Sequence, residues 1–498
     1  MVTILEMVRP PRCGLVLQKL LTGSFFWFFV VLIGFPSTPL AAQTETIPET
    51  IFVTLVRIDS INIDGNRRTR SSYILRELDF RVGDLIPVDT LAERLEFNRV
   101  RLLNMGLFTR VDMEMVFPDP DSTRLHLRFS VYENLFIIPV PVFELADRNF
   151  NVWWKEFDHS FQRVNYGLDL SHLNFTGQAD VLKMAAVFGY SNKYSISYKI
   201  PYINRKQTIG FQTSLSYSRS REVAFDTEGN KLLFEVDPDN WQITRWYANA
   251  GIAWRPEFFS RHTLVAEYHL NRVSETIATD LNPDFFLNGQ TQQRHVSLIY
   301  NLVIDYRDIH PYPLSGYRWV FEIRGNGLLP SDDLRLFRFY AEYNKYFSFT
   351  KRLSLETIFK ARTSLPRRQP PYFNNQALGY GGNFVRGYEY FVADGLDFGL
   401  VKTSFHIELL NQAFDLSRLV PFRSFRLLPV KVYLSLNNDL GYAQDAWYGA
   451  NNPLSNRIMY GYGVGLDIVA FYNKTARFEY SWNDLGQGGF YLNINTGF

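Results

Sequence analysis

From Leu135 to Phe498 the chain repeats one pattern, in which stretches of about 9 to 11 residues alternate apolar or aromatic with polar side chains. In "YSISYKI", Tyr194, Ile196, Tyr198 and Ile200 share one face, with Ser195, Ser197 and Lys199 on the other. In "ARFEYSW", Ala476, Phe478, Tyr480 and Trp482 alternate with Arg477, Glu479 and Ser481. A period of two is a strand period, and no helical periodicity competes with it here. One face suits lipid and the other water. A soluble sandwich also alternates, but strand length, aromatic residues at strand ends and the need to leave no unpaired edge in hydrocarbon favour a closed barrel. In the last segment Phe490, Leu492, Ile494, Thr496 and Phe498 fall outward, with Tyr491, Asn493, Asn495 and Gly497 inward. The predicted fold class is a transmembrane antiparallel β-barrel over 135–498 with a small N-terminal α+β domain. Dividing about 365 residues by roughly 23 per strand and connection gives about sixteen strands, with fourteen also compatible. The long polar connections 221–240 and 278–294 are expected on the external side.

The start of the chain fits an exported protein. Arg9, Arg12 and Lys19 precede the apolar run "LLTGSFFWFFVVLIGF", and "PLAAQ" offers small residues for cleavage near Ala42. Residues 1–42 are therefore expected to be a signal peptide and 43–50 a linker. The sole cysteine, Cys13, precedes the apolar run, so disulfides, thiolate metal ligands and cysteine nucleophiles drop out of the cleaved chain. A mean hydropathy of -0.15 excludes a bundle of membrane helices. A net charge of +2 leaves no field for nucleic acid.

Residues 51–134 read as a separate small domain in the order strand, helix, helix, strand, strand. "VRIDSINIDGN" alternates and ends in a turn, and "SSYILRELDF" gives a short helix. Thr90 and Glu93 have capping-box spacing ahead of a helix whose apolar face carries Leu91, Leu95 and Leu102 and which stops at Gly106. Two strands follow, "LFTRVDMEMVF" and "RLHLRFSVYE".

Within the barrel, "NFVRGYEYF" places Arg386 in an aromatic, glycine-rich stretch. Parity puts Lys402, Ser404, His406 and Glu408 of "VKTSFHIELL" inward, and Asp439 of "KVYLSLNNDLGY" inward as well. An arginine carried into the lumen on a flexible loop could pair bidentately with either carboxylate. An ordinary surface hairpin with an exposed arginine is the alternative.

The segment "LLNMGLFTRVDM" is similar to the signature of a polypeptide-transport-associated (POTRA) domain. In chain order, "DYRDIHPYPLSGYR" (Asp305, Arg307, Asp308 and Gly316 among its residues), "VRGY" (Val385, Arg386, Gly387, Tyr388), "NNDLGY" and "YGYGVGLDI" resemble motifs of the BamA/TamA outer-membrane insertase superfamily, of the bacterial surface antigen type. With the POTRA-like segment they cover nearly all of the chain after residue 50. The chain has room for a single POTRA domain. The resemblance implies an outer-membrane location with the POTRA domain in the periplasm. It implies a sixth extracellular loop folded into the barrel, with Arg386 as its cation, Asp439 as partner and Glu408 as a second partner. It also implies assembly or translocation of polypeptides without a cofactor. The partners would be unfolded outer-membrane or secreted polypeptides, outer-membrane lipid and accessory assembly subunits. A passive channel or secretion pore, with the POTRA domain as a docking module, is the competing function.

Two further expectations come from backbone chemistry. The segment Phe108, Arg110, Val111, Met113, Met115 could capture a client as an added strand. Pro139 and Pro141, two apart in the first barrel segment, remove donors on one edge, and Gly488 and Gly489 weaken the last strand, which ends at Phe498. Those residues mark either a weak closing seam or, for the prolines, a stiff linker. No catalytic constellation emerges. Asp158, His159 and Ser160 are adjacent, but on a strand the histidine faces away from both neighbours. No carboxylate or histidine spacing fits a metal, and no glycine loop fits a phosphate-cradling turn.

Overall fold

The computed structural model describes residues 54–118, 123–145, 161, 164–418, 426–470 and 474–495. The expected signal peptide and linker, the Asp158, His159, Ser160 triplet and Phe498 lie outside the described residues.

The N-terminal domain comprises β1 (Leu55–Asp64), α1 (Ser71–Arg76), β2 (Leu85–Pro87), α2 (Val88–Asn104), β3 (Phe108–Val116) and β4 (Arg124–Glu133). Its sheet runs β2-β1-β4-β3, with β1 parallel to β4 and β3 on an edge. Leu91, Leu95 and Leu102 of α2 pack with Ile58, Ile74, Leu125 and Phe129 into the core, as the apolar face requires. Gly106 follows α2 at φ +72, the left-handed stop that glycine permits. The capping box does not form. The helix starts at Val88 with Pro87 as N-cap, three residues earlier than Thr90 as N-cap requires, and the Thr90 hydroxyl donates to the Pro87 carbonyl instead. The reason is β2, a three-residue strand absent from the sequence reading. It pairs with β1 through Pro87 and delivers the chain into the helix at that point. Buried Asn98 then links α2 to the α1–β2 connection, accepting from the Asp79 amide at 2.9 Å.

The rest is one antiparallel sheet of 16 strands. Its strands up to the middle are β5 (Ile137–Leu145), β6 (Val164–Leu173), β7 (Val181–Gly189), β8 (Ser191–Ile200), β9 (Ile209–Ser220), β12 (Ile243–Trp254), β13 (Ser260–Val273) and β14 (Gln292–Asp305). The hairpin β10 (Glu222–Glu228) and β11 (Lys231–Val236) rises from the β9–β12 connection. Next come β15 (Gly316–Asn326), β16 (Leu336–Ser348) and β17 (Leu353–Leu365), then β18 (Gln376–Leu378) and β19 (Ala393–Asp394), which pair within a loop. The sheet ends with β20 (Asp397–Asp415), β21 (Leu427–Gln444), β22 (Ile458–Ala470), β23 (Lys474–Asn483) and β24 (Gly488–Asn495). Ile196, Phe478, Tyr480, Phe490 and Leu492 are exposed, whereas Glu479 and Ser481 are buried, so the period-two faces lie as parity placed them. Among the described residues, no helix is long and apolar enough to cross a membrane.

The N-terminal domain and the barrel make one compact unit. The domain sits on the rim where β5 begins, the near rim, and the long connections 221–240 and 278–294 lie on the opposite, far rim. Glu77, at the end of α1, accepts from Arg255 at 2.7 and 3.0 Å, from Tyr202 at 3.0 Å and from Arg101 at 3.3 Å. Arg101 also lies 3.5 Å from the Phe258 ring centroid. Burial alone raises the Glu77 pKa, but the Arg255 and Arg101 charges outweigh it and hold this carboxyl below the usual value. Burial brings Arg101 down to about 10, still charged at neutral pH. The Asn104 side chain donates to the Asp308 carbonyl at 2.9 Å and accepts from the His310 amide at 3.2 Å.

Candidate functional site

Between Leu365 and Asp397 the chain leaves the far rim, enters the lumen and returns. Val385 and Tyr388 of this loop are buried against Leu378, Phe398, Leu400 and Met459, so apolar packing flanks the arginine on both sides. Arg386 itself is 5% exposed. Its Nη1 lies 2.8 Å from Asp439 Oδ1, its own amide donates to Asp439 Oδ2 at 3.0 Å, and Nη2 donates to Ser404 Oγ at 3.1 Å. Nε stands 3.4 Å from Glu479 Oε2. Lys402 Nζ lies 3.0 Å from Asp439 and donates to the Phe384 carbonyl at 2.9 Å. Two cations thus face two carboxylates, which lets all four charges be buried; any one alone would be costly.

Backbone clearance decides where this loop can lie. A Cβ on Gly461 would stand 1.8 Å from the Arg386 carbonyl oxygen, so the wall of β22 must be bare at that point. Gly387 has φ +80, and a Cβ there would meet the backbone of Trp482 at 2.5 Å. The Asn483 side chain closes the contact, its Nδ2 donating to the Gly387 carbonyl at 2.7 Å.

The structure brings Arg386 and Asp439 together and keeps Glu408 away, which corrects the expected second partner. Glu408 faces Tyr433 across the β20–β21 ladder and accepts from its hydroxyl at 3.2 Å. Lys402, opposite Asp439, is six residues away, roughly 20 Å along an extended strand. Glu479 takes the second place, from a strand two removed from β21. Sequence parity marked it as inward and assigned it no role. Ser404 and Lys402 were likewise placed inward without a partner.

A second insertion comes from the near rim. Asp305 holds Arg307 at 2.8 and 2.7 Å, Asp308 accepts from the Leu314 amide at 3.1 Å, and Gly316 opens β15. This turn lifts Tyr312 into the lumen, where its hydroxyl donates to Asp467 at 2.8 Å and lies 2.9 Å from His406 Nδ1. Arg477 braces Asp467 with bonds of 2.8 and 2.9 Å. The motif residues Asp305, Arg307, Asp308 and Gly316 therefore shape a turn, and Tyr312, which the sequence reading left without a role, makes its lumen contact.

The barrel's end strands differ from every other neighbouring pair. Each consecutive pair along the sheet is laddered, but among the described residues no ladder joins β5 to β24. Pro139 and Pro141 lie within β5, opposite Leu170 and Leu168 of β6, so they are strand residues. The Leu173 amide donates to the Phe136 carbonyl at 2.7 Å, which marks 136/173 as a hydrogen-bonded pair. Pairs alternate, so 139/170 and 141/168 are non-hydrogen-bonded, and both proline nitrogens point away from β6 toward the open edge. Gly488 and Gly489 open β24, paired with Trp482 and Ser481.

In the N-terminal domain, β3 has β4 on one side only. Phe108 and Val111 turn into the domain core, Met113 packs against it, Met115 is exposed, and Arg110 lies over the Tyr132 ring at 3.9 Å. The open edge therefore offers main-chain groups along its length, with exposed apolar side chains gathered at its end, at Met115, Val116 and Phe117. Among the described residues, no group of His, Cys, Asp or Glu is placed to hold a metal.

A family model described as the Omp85 superfamily domain matches residues 174–498, and one described as POTRA, surface antigen variable number repeat, matches residues 56–134. Among solved structures, CdiB from Escherichia coli is similar at 12% identity and a TM-score of 0.53, covering 88% of this chain and 76% of that one. BamA from Haemophilus ducreyi lacking POTRA domains 1–3 is similar at 11% identity and a TM-score of 0.47, covering 88% and 84%. CdiB from Acinetobacter baumannii gives 13%, 0.48, 89% and 74% in the same order. The Escherichia coli CdiB likeness concerns the fold alone. No curated protein matches the chain.

Proposed function

This chain belongs to the Omp85 superfamily, and on that premise we propose that it takes an unfolded polypeptide at its N-terminal domain and releases it sideways through the β5–β24 seam. Insertion or translocation at the outer membrane is the activity the family assignment supports. The finer reading orients the near rim and the POTRA domain to the periplasm and makes the 366–396 loop a standing lumen plug. The observation that carries it is the seam without a ladder among the described residues, with two proline nitrogens directed at it, in a barrel whose lumen holds the Arg386 loop and the Tyr312 turn. An axial route meets packed side chains, whereas a lateral route breaks few main-chain bonds. Capture would use the open main-chain edge of β3.

Val142 and Asn493 both belong to the inward sets of their strands, and the only cysteine of the sequence is Cys13, before the expected cleavage site. Cysteine pairs across the seam, starting from Val142→Cys with Asn493→Cys and shifting by a position or two, should stop client assembly on oxidation and restore it on reduction. Full activity with the seam crosslinked in nearly every molecule would reject lateral release.

The second reading, a secretion pore with a docking domain, is favoured by the interface around Glu77, which fixes the N-terminal domain on the near rim. Planar-bilayer conductance separates the two. A pore conducts steadily with the seam closed, whereas the lateral mechanism predicts low conductance in both states.

A further inference from the structure

In the far-rim half of the lumen, away from Arg386 and Asp439, two adjoining cavities of about 500 and 420 Å³ share Arg338, Phe373, Asn374 and Gln376 as lining. Their described lining includes Arg245, Arg324, Arg338 and Arg362 and no aspartate or glutamate. The four arginines are not equivalent. Arg324 is paired, at 2.9 Å from Glu267 and 3.3 Å from Glu322. Arg362 donates to the backbone carbonyls of Gln376, Gly395 and Leu396 and so anchors the loop. Among the described residues, Arg245 has no carboxylate partner and only the Phe373 ring beside it, at 5.5 Å from the centroid.

Arg338 is the more telling residue. It stands directly opposite Arg324 in the β15–β16 ladder; Glu267 and Glu322 are taken up by Arg324, and among the described residues Arg338 has no ion pair of its own. One of its nitrogens donates to the Asn374 carbonyl at 2.5 Å, and its buried Nε has no partner. His295, 5% exposed, lines the same cavity with a buried, unpartnered Nδ1, its ring stacked on His269 at 4.7 Å. Unpaired guanidinium groups with unused donors, converging on a space without acids, complement an oxyanion. We propose that this chamber is a binding site for a phosphate-type oxyanion, held by the guanidinium groups of Arg245 and Arg338 with the ring of His295 completing it. A guanidinium fork matches two oxygens of a tetrahedral anion. The chamber's volume takes a small phosphate or phosphate ester with water, and Phe373 and Asn374 of the loop form part of its wall.

The test uses the full chain in nonionic detergent, with inorganic phosphate as probe and phosphorus NMR line broadening as readout. Saturable binding is expected, weakened at least about tenfold by Arg245→Gln or Arg338→Gln, the loss of one charge-assisted contact. Arg457→Gln, on the exposed far rim, should leave it unchanged. Arg338→Gln also removes a loop anchor. Arg245→Gln removes no hydrogen bond within the described residues, so its result reads on the site rather than on folding. A second arm adds lipid with a terminal monoester phosphate to the micelles. No competition is expected, because acyl chains cannot follow the headgroup into the lumen. Binding that is absent, does not saturate, survives Arg245→Gln combined with Arg338→Gln, or is competed by the lipid would overturn the proposal.

Discussion

Arg386 touches three strands of the barrel, β20 through Ser404, β21 through Asp439 and β23 through Glu479, so its loss leaves Glu479 without its cation and Asp439 with Lys402 alone. Arg386→Ala should weaken loop docking by about 3 to 5 kcal/mol, the cost of leaving a buried partner uncompensated. The measurement is protease cleavage within 366–396 of the folded protein, which should appear in the variant and be absent from the wild type. Glu479→Gln should expose the same sites to a lesser degree, while Glu408→Gln should leave protection unchanged. Gly461→Ala should displace the loop although it removes no contact, since its methyl would stand 1.8 Å from a carbonyl oxygen that cannot move aside cheaply. The contrast between Glu408 and Glu479 shows what sequence could convey. Parity assigns a residue to the lumen face but says nothing of its height along the strand or of which non-neighbouring strand shares that level. Asp439 was legible because the loop motif and the wall motif both pointed to it. Glu479 needed the strand stagger, which no local pattern encodes.

The N-terminal domain's elements carry two tests. Successive residues of β3 send their amides to opposite sides, so of Asp112→Pro and Met113→Pro one removes a donor from the open edge and the other from the β4 ladder. Peptide crosslinking to the purified full chain should fall in one variant while its melting stays near wild type, and the other should show the reverse. Equal crosslinking in both would exclude the edge. The contact around Glu77 is the second test. Its folded pKa lies below the ordinary glutamate value of 4.5, so the contact is complete above that pH and is lost as pH falls through the depressed value. Fluorescence transfer between the domain and the 255–259 turn should drop over that acid window. Glu77→Gln should remove the pH step and weaken docking by about 2 kcal/mol, less than a fully buried pair because Arg255 remains partly exposed. The apolar face of α2 was legible as a period. Its start was not, because a three-residue strand is too short to leave a pattern, and pairing with β1 overrode the capping signal.

At the scale of the whole molecule, strand length and alternation sufficed to foresee a barrel of about sixteen strands, because lipid on one side and water on the other force a period of two. What the sequence left open was whether Pro139 and Pro141 belonged to a strand or a linker, since proline content fits both; their pairing with β6 decides it. The domain's described hydrogen bonds to the barrel reach only the turns 174–180, 201–208, 255–259 and 306–315, which connect strands between β6 and β15. Phe136, at the foot of β5, is built into the domain's own core. One side of the seam is thus tied to the domain, and the side ending in β24 has no such fastening among the described residues; on the lateral-release proposal, the first is the fixed frame and the second the door leaf. Opening would swing the leaf and leave the frame at rest. Spin labels on the domain and on β7 should keep one sharp distance as a client engages, whereas labels on the domain and on β22 should spread to longer ones.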